Sequence, residues 1–203
     1  IRFRPKSLTH AVKEVLSNRI VRQTTMIQTI CLGVLFASLS SIQQIFDVTY
    51  GFADSFPKWF FGIALASGAA NLLNATMVVQ LGMRRLVGVA MVSLILLTFG
   101  ILVCLGLLGT LPFGLFILWQ TSVFIHASMT LGNLNAMALE PMGHLAGTAT
   151  SVFSSLATLG AVVIAVPIGL LFDGTPMPLL IGTLVALAVG YVILRQIRGD
   201  EAG

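Results

Sequence analysis

The sequence predicts an all-α polytopic membrane protein, and three observations carry that prediction. Of its 203 residues, 57% are hydrophobic and only 9% are charged, with a mean hydropathy of +0.99. Soluble domains carry about 25% charged residues, so this composition cannot clothe a water-facing surface. Six charge-free runs approach or exceed the ~20 residues that a helix needs to cross a bilayer. No stretch alternates polar and apolar residues in the manner of a β-barrel strand.

The runs are Gln23–Phe46, Trp59–Gly82, Leu86–Leu108, Pro112–Leu139, Leu145–Phe172 and Pro178–Leu194. Residues 1–22 form a basic entry segment in which Leu8, Val12, Val15, Leu16 and Ile20 share one helical face. That pattern predicts an amphipathic helix lying on the membrane surface. Residues 195–203 form a short polar tail. The chain opens on Ile1 rather than Met, which suggests a piece of a longer protein.

Charge placement predicts the topology. Arg2, Arg4, Lys6, Lys13, Arg19, Arg22, Arg84, Arg85, Arg195 and Arg198 fall on one side of the six runs, and Lys58 falls on the other. The positive-inside rule then puts both termini in the cytoplasm. The net charge of +4 reports this topology and affinity for anionic headgroups, not nucleic-acid binding. Cys31 and Cys104 lie in different spans at depths about 15 Å apart, too far for one disulfide.

Each span carries its own signals. The first holds Gln28 well inside the apolar run, with Phe36 supplying aromatic surface further along. The second combines a small-residue face of Gly62, Ala66 and Ala70 with a polar stripe of Ser67, Asn71 and Asn74. Small residues at every fourth position favour close helix contact. Leu81-Gly-Met-Arg-Arg85 then makes a short basic reversal, and the third span is nearly featureless. In the fourth, Trp119, Ser122, His126, Thr130, Asn133, Met137 and Glu140 recur at spacings of three or four, forming one stripe. Phe124 adds a ring beside it. The fifth span aligns Thr148, Ser151, Ser155 and Thr158, and the sixth repeats Gly182, Ala186 and Gly190.

Amides and imidazoles inside hydrocarbon either bond a neighbouring helix or face a water-filled path. For Gln28, Asn71 and His126 both readings stand. Between the fourth and fifth spans, Pro141 is expected to stop a helix by pushing Glu140 out of the helical region. Gly143 and Gly147 are expected to turn the chain, and Thr148 or Ser151 to start the next helix. Arg84, Arg85 and Glu140 come together as a candidate cytoplasmic latch, with a simple capping role for Glu140 as the other reading.

Nothing in the sequence groups a nucleophile with a base and an acid, or spaces ligands for a metal. Ala66-Ser67-Gly68 followed by His126 permits an intramembrane serine protease of the rhomboid type, although the usual first glycine is alanine. The sequence is therefore read as non-enzymatic.

Asn74 with Leu81-Gly-Met-Arg-Arg85, Asn135-Ala-Met-Ala-Leu-Glu-Pro-Met-Gly-His144, Ala146-Gly-Thr-Ala-Thr-Ser151 and Phe172-Asp-Gly-Thr-Pro176 resemble the Bcr/CflA (bicyclomycin-resistance type) drug exporters of the major facilitator superfamily. The resemblance implies the C-terminal six-helix half of a proton-coupled multidrug antiporter in a bacterial inner membrane. It also implies a 3+3 inverted repeat, an N-terminal six-helix half as partner, amphipathic drugs as substrates, protons as the coupling ion and no bound cofactor. Gln28, Phe36, Asn71, Asn74, Trp119, Ser122, Phe124, His126 and Asn133 would then line the substrate path. One departure stands out: no Asp or Glu lies at mid-span, so the proton-coupling acid expected of such exporters is absent from this chain. A six-span scaffold or channel subunit is the alternative outside the transporter class.

Overall fold

A computed structural model describes Lys13, Val15 and residues 17–199, with His144 and Arg198 described for their backbone alone. The remainder of the predicted surface helix and the acidic end of the tail, Asp200 and Glu201, lie outside the described residues. Six long helices occupy the six apolar runs: α1 Arg19–Gln44, α2 Phe56–Leu81, α3 Met83–Leu108, α4 Phe113–Leu139, α5 Ala146–Leu170 and α6 Met177–Gly199. All six are long and apolar enough to cross a membrane. No strand occurs among the described residues.

Helix ends follow local chemistry. Asn18 caps α1 by accepting the Val21 amide at 3.1 Å. A single residue, Gly82, joins α2 to α3 with φ +77° and ψ 150°, a conformation essentially reserved for glycine. The left-handed Gly109 (φ 72°) ends α3, where a β-carbon would be costly. Pro112 precedes α4, and its carbonyl accepts the Phe116 amide at 3.2 Å.

The α4–α5 connection departs from expectation. Helix α4 ends at Leu139, but Glu140 keeps right-handed helical angles (φ −50°, ψ −50°). Pro141 instead opens a 3-10 segment, Glu140–Leu145, and the break falls at Met142 (φ −117°, ψ 25°). The steric restriction that a proline places on its predecessor is a bias, and a 3-10 turn accommodates it here. Neither Gly143 nor Gly147 has a positive φ. Helix α5 starts at Ala146 without a side-chain cap, and the Thr150 and Ser151 hydroxyls donate back to the Ala146 and Gly147 carbonyls. This is the competing role small hydroxyls adopt once inside a helix.

Helices α1 and α4 form the centre. Helix α1 packs on α5, α4 and α6, while α4 packs on α1, α3 and α2; α3 and α6 also meet. Over half of the most apolar stretch of α1 is buried (56%), against 11% for α2, which leans chiefly on α4. The closest approach is between α1 and α5. A β-carbon on Gly160 would lie 2.6 Å from Thr29, and one on Gly33 would lie 2.9 Å from Ile164. Gly182 and Gly190 act likewise against Ile168 and Met91. The predicted small-residue face of α2 is corrected, because Gly62 is exposed with open space beside it and only Ala70 of that trio is buried.

The end opposite the basic residues is closed by rings. Phe46 stacks edge-on against Phe56 and Phe113 at 5.2 and 5.3 Å, and Tyr50 lies 5.1 Å from Phe113. Tyr50 donates its hydroxyl to the Leu111 carbonyl at 2.9 Å, and Thr49 donates to the Gly174 carbonyl at 2.8 Å. These bonds tie the α1–α2 connection to those before α4 and α6. At the basic end Val15, Val21, Ala138, Met142, Ala149 and Phe153 make a second apolar cluster. Val15 thus buries as its periodicity predicts, whereas Ile20 of the same predicted face is 42% exposed.

Candidate functional site

The polar residues of this bundle converge on α4. That helix presents one chemistry to each neighbour, and the sequence-predicted stripe is divided among them. Trp119 is fully buried and donates Nε1–H to Thr98 Oγ1 on α3 at 2.9 Å; Thr98 in turn donates to the Leu94 carbonyl. Towards α1, Gln120 donates its amide to the Ser38 hydroxyl. Towards α2, Asn133 donates to Asn74 Oδ1 at 2.8 Å and to its own helix at the Met129 carbonyl. Ser67 of α2 shares a hydrogen bond with Ser128 at 2.7 Å and approaches the Phe124 carbonyl at 3.2 Å.

Each such bond satisfies a group that hydrocarbon could not, and each contributes about 0.6–2 kcal/mol between membrane helices. The structure therefore brings Asn74 and Asn133 together. Phe124 meets Phe60 of α2 at 5.7 Å, nine residues before Asn133 along α4. Ser122 is half-buried and donates to the Leu118 carbonyl of its own helix. Phe36 is half-buried on α1 against the apolar core.

Three predicted residues lack such partners. Gln28 is buried with its carbonyl oxygen unbonded. His126 is 3% exposed, and neither ring nitrogen makes a hydrogen bond among the described residues. The Ala90 carbonyl of α3 is directed at the ring without reaching hydrogen-bond geometry. Asn71 is the reverse case, an amide well inside α2 whose side chain is exposed. It shares an open stripe with Ala64, Gly68 and Ala75, which recur at spacings of three and four on the same helix.

Helix α5 exposes a matching stripe of Ser151, Ser155 and Thr158. Two of these hydroxyls bond carbonyls one turn back, so the stripe is small and hydroxylic but largely satisfied. Helices α2 and α5 thus turn small-residue faces away from the bundle, with one amide on α2 and hydroxyls on α5, beside large apolar side chains such as Phe61, Leu65, Leu72 and Val79.

At the basic end, Arg84, Arg85 and Glu140 line one crevice of 790 Å³. Glu140 is exposed and forms no ion pair with a described residue. Ser67 is bonded to Ser128, and His126 lies on the face of α4 that meets α3. Among the described residues no group of three or more His, Cys, Asp or Glu could hold a metal ion.

Sequence reasoning missed Gln120, Ser38, Thr98 and Ser128. Gln120 was visible as an amide inside an apolar run, but it stood one residue off the stripe. Scans and searches of protein-family models, curated proteins and solved structures find no match to this chain.

Proposed function

We propose that this chain is the C-terminal six-helix half of a secondary active transporter, a proton-coupled multidrug efflux antiporter of the Bcr/CflA type that works by alternating access. One observation carries the reading: α2 and α5 expose stripes of small residues, hydroxylic on α5, and the α2 stripe carries the exposed amide of Asn71. Such groups in lipid are costly unless another protein surface or a water path receives them. A second six-helix half seated on α2 and α5 supplies that surface and the other wall of a substrate cavity.

The pattern of helix contacts supports the same reading. Exchanging α1 with α4, α2 with α5 and α3 with α6 carries the main contacts onto one another: α1–α5 onto α4–α2, and α1–α6 onto α4–α3. This is the arithmetic of an inverted repeat, in which transport sites lie near the repeat interface. The motifs around Asn135–Ser151 supply the specific family.

In this scheme Asn71, Asn74, Asn133 and Phe124 contact drug or cavity water on the α2 side. Gln28, Phe36 and Ser122 contribute where α1 and α4 open during the cycle, and Trp119 and His126 become accessible only through movement of α3 against α4. The basic end is cytoplasmic, and protons are taken up by an acid of the other half, since all seven Asp and Glu lie outside mid-span. Arg84, Arg85 and Glu140 pair as the cytoplasmic side closes.

Two measurements test this. Cells expressing the intact reading frame should export amphipathic cations more strongly as the external medium is acidified; loss of that pH dependence removes the proton-coupled class. Glu140→Arg should lower export at least several-fold, with partial recovery on adding Arg84→Glu or Arg85→Glu. Failure of every such pairing to restore export makes Glu140 a local structural residue.

A further inference from the structure

Helix α5 leans on α1 and meets α6 only sparingly, and a groove of 700 Å³ opens between the two. Its floor is the contact of Ile168 with Gly182, where a β-carbon added to the glycine would lie 2.7 Å from Ile168. Its walls are apolar, with Val163, Ile164, Ile181, Val185 and Val189. Along α6 the lining runs from Met177 to Val189, about 18 Å at the rise of an α-helix. The mouth lies at the α5–α6 connection, where Asp173 is the one charged residue of the lining. Asp173 accepts the Thr175 hydroxyl at 2.7 Å and the Thr175 amide at 3.0 Å, both at Oδ1, which leaves Oδ2 open to a further donor. The hydroxyl bond first, then the amide bond, holds this exposed carboxyl below the usual range, so it stays ionised at neutral pH.

We infer that this groove seats an acyl chain of a phospholipid from the leaflet at the Asp173 end, with a primary ammonium headgroup, as in phosphatidylethanolamine, donating to the Asp173 carboxylate. Depth selects the chain. The hydrocarbon core of a bilayer is about 30 Å thick, so the track is as deep as one leaflet and stops near mid-membrane. A transmembrane helix, from a partner or a second copy, would need a face about twice as long. Charge selects the headgroup. A carboxylate at the mouth with no cation in the lining repels a net-anionic lipid and attracts a primary ammonium. A quaternary choline carries charge but no N–H, so it forfeits the charge-assisted hydrogen bond. Val163 and Pro167 lie about half a turn around α5 from Ser151, Ser155 and Thr158, so the groove faces away from the surface assigned to the second half. The inference needs only that the six helices span a bilayer; it depends neither on drug transport nor on which end is cytoplasmic.

The test is photo-crosslinking of the full-length protein in phosphatidylcholine nanodiscs doped with dioleoyl-phosphatidylethanolamine that carries a diazirine midway along one chain. Adducts mapped by mass spectrometry should favour Val163, Ile181 and Val185 several-fold over Leu96 and Phe99, comparably exposed side chains of α3. Val185→Trp, which fills the track from an exposed position, should remove this excess and leave the α3 adducts unchanged. Asp173→Asn should cut the groove adducts about threefold, the worth of an exposed ion pair, without altering those from a phosphatidylcholine probe labelled alike. Equal labelling of groove and α3 overturns the inference, since the lipid is then merely annular. Absence of label from the groove overturns it too, and assigns the face to a protein neighbour. Equal capture of the two headgroups, or indifference to Asp173→Asn, overturns the headgroup assignment and the inference with it.

Discussion

At the residue scale, a few polar bonds to α4 help fix how α2 stands against the rest. Asn133 joins α4 to α2 through Asn74, and Ser67 pairs with Ser128, on a helix buried over only a small share of its length. Asn133→Leu should therefore weaken α2 docking by about 1 kcal/mol. The consequence is read as faster cross-linking or hydrogen exchange of α2 backbone than of α3; equal protection in both helices would remove Asn133 from this role.

Tyr50 makes the second residue-scale case. Burial pushes its phenol up to about 12, and its hydroxyl donates to the Leu111 carbonyl. A raised folded pKa means the contribution is complete below the unfolded value near 10 and lost as pH rises through the folded one. Ultraviolet titration of the folded protein should thus show Tyr50 ionising well above a free tyrosine, with the signal absent in Tyr50→Phe. Ionisation near 10 would place Tyr50 in open solvent.

At the element scale, glycines decide which helices touch. Gly160 and Gly33 let α1 and α5 meet at side-chain distance, whereas Gly62 faces open space. Gly160→Ala should destabilise the bundle by about 1–3 kcal/mol, the usual cost of overpacking. Gly62→Ala should be nearly neutral in the same unfolding assay. An equal loss from both would mean that Gly160 is not the contact point.

The same comparison marks what the sequence could convey. Spans were legible because hydrocarbon demands long uncharged runs, and those runs are written residue by residue. Spacing also grouped Trp119, His126 and Asn133 on one side of α4. What spacing cannot convey is the neighbour that side meets, which depends on crossing geometry. Trp119 and His126 meet α3, while Asn133, on the same stripe, meets α2. At Pro141 the α-helix does stop, at Leu139, but Glu140 keeps helical angles: a local bias was overridden once a 3-10 segment could satisfy the chain. The aromatic closure by Phe46, Tyr50 and Phe113 joins segments over sixty residues apart, beyond the reach of local pattern.

At the scale of the whole molecule, the central claim is that the outward faces of α2 and α5 meet protein and water rather than lipid alone. Those faces carry small residues, with Asn71 on α2 and hydroxyls on α5, while their flanks are large and apolar, as at Leu65, Leu72 and Leu159.

The most direct test is single-cysteine labelling of the full-length protein in membranes, after Cys31 and Cys104 are replaced. A membrane-impermeant, water-requiring maleimide should modify Asn71→Cys at a rate that an exported drug slows, and should leave Leu72→Cys on the apolar flank unmodified. Modification of neither position, or of both without protection by drug, would contradict a substrate path along α2.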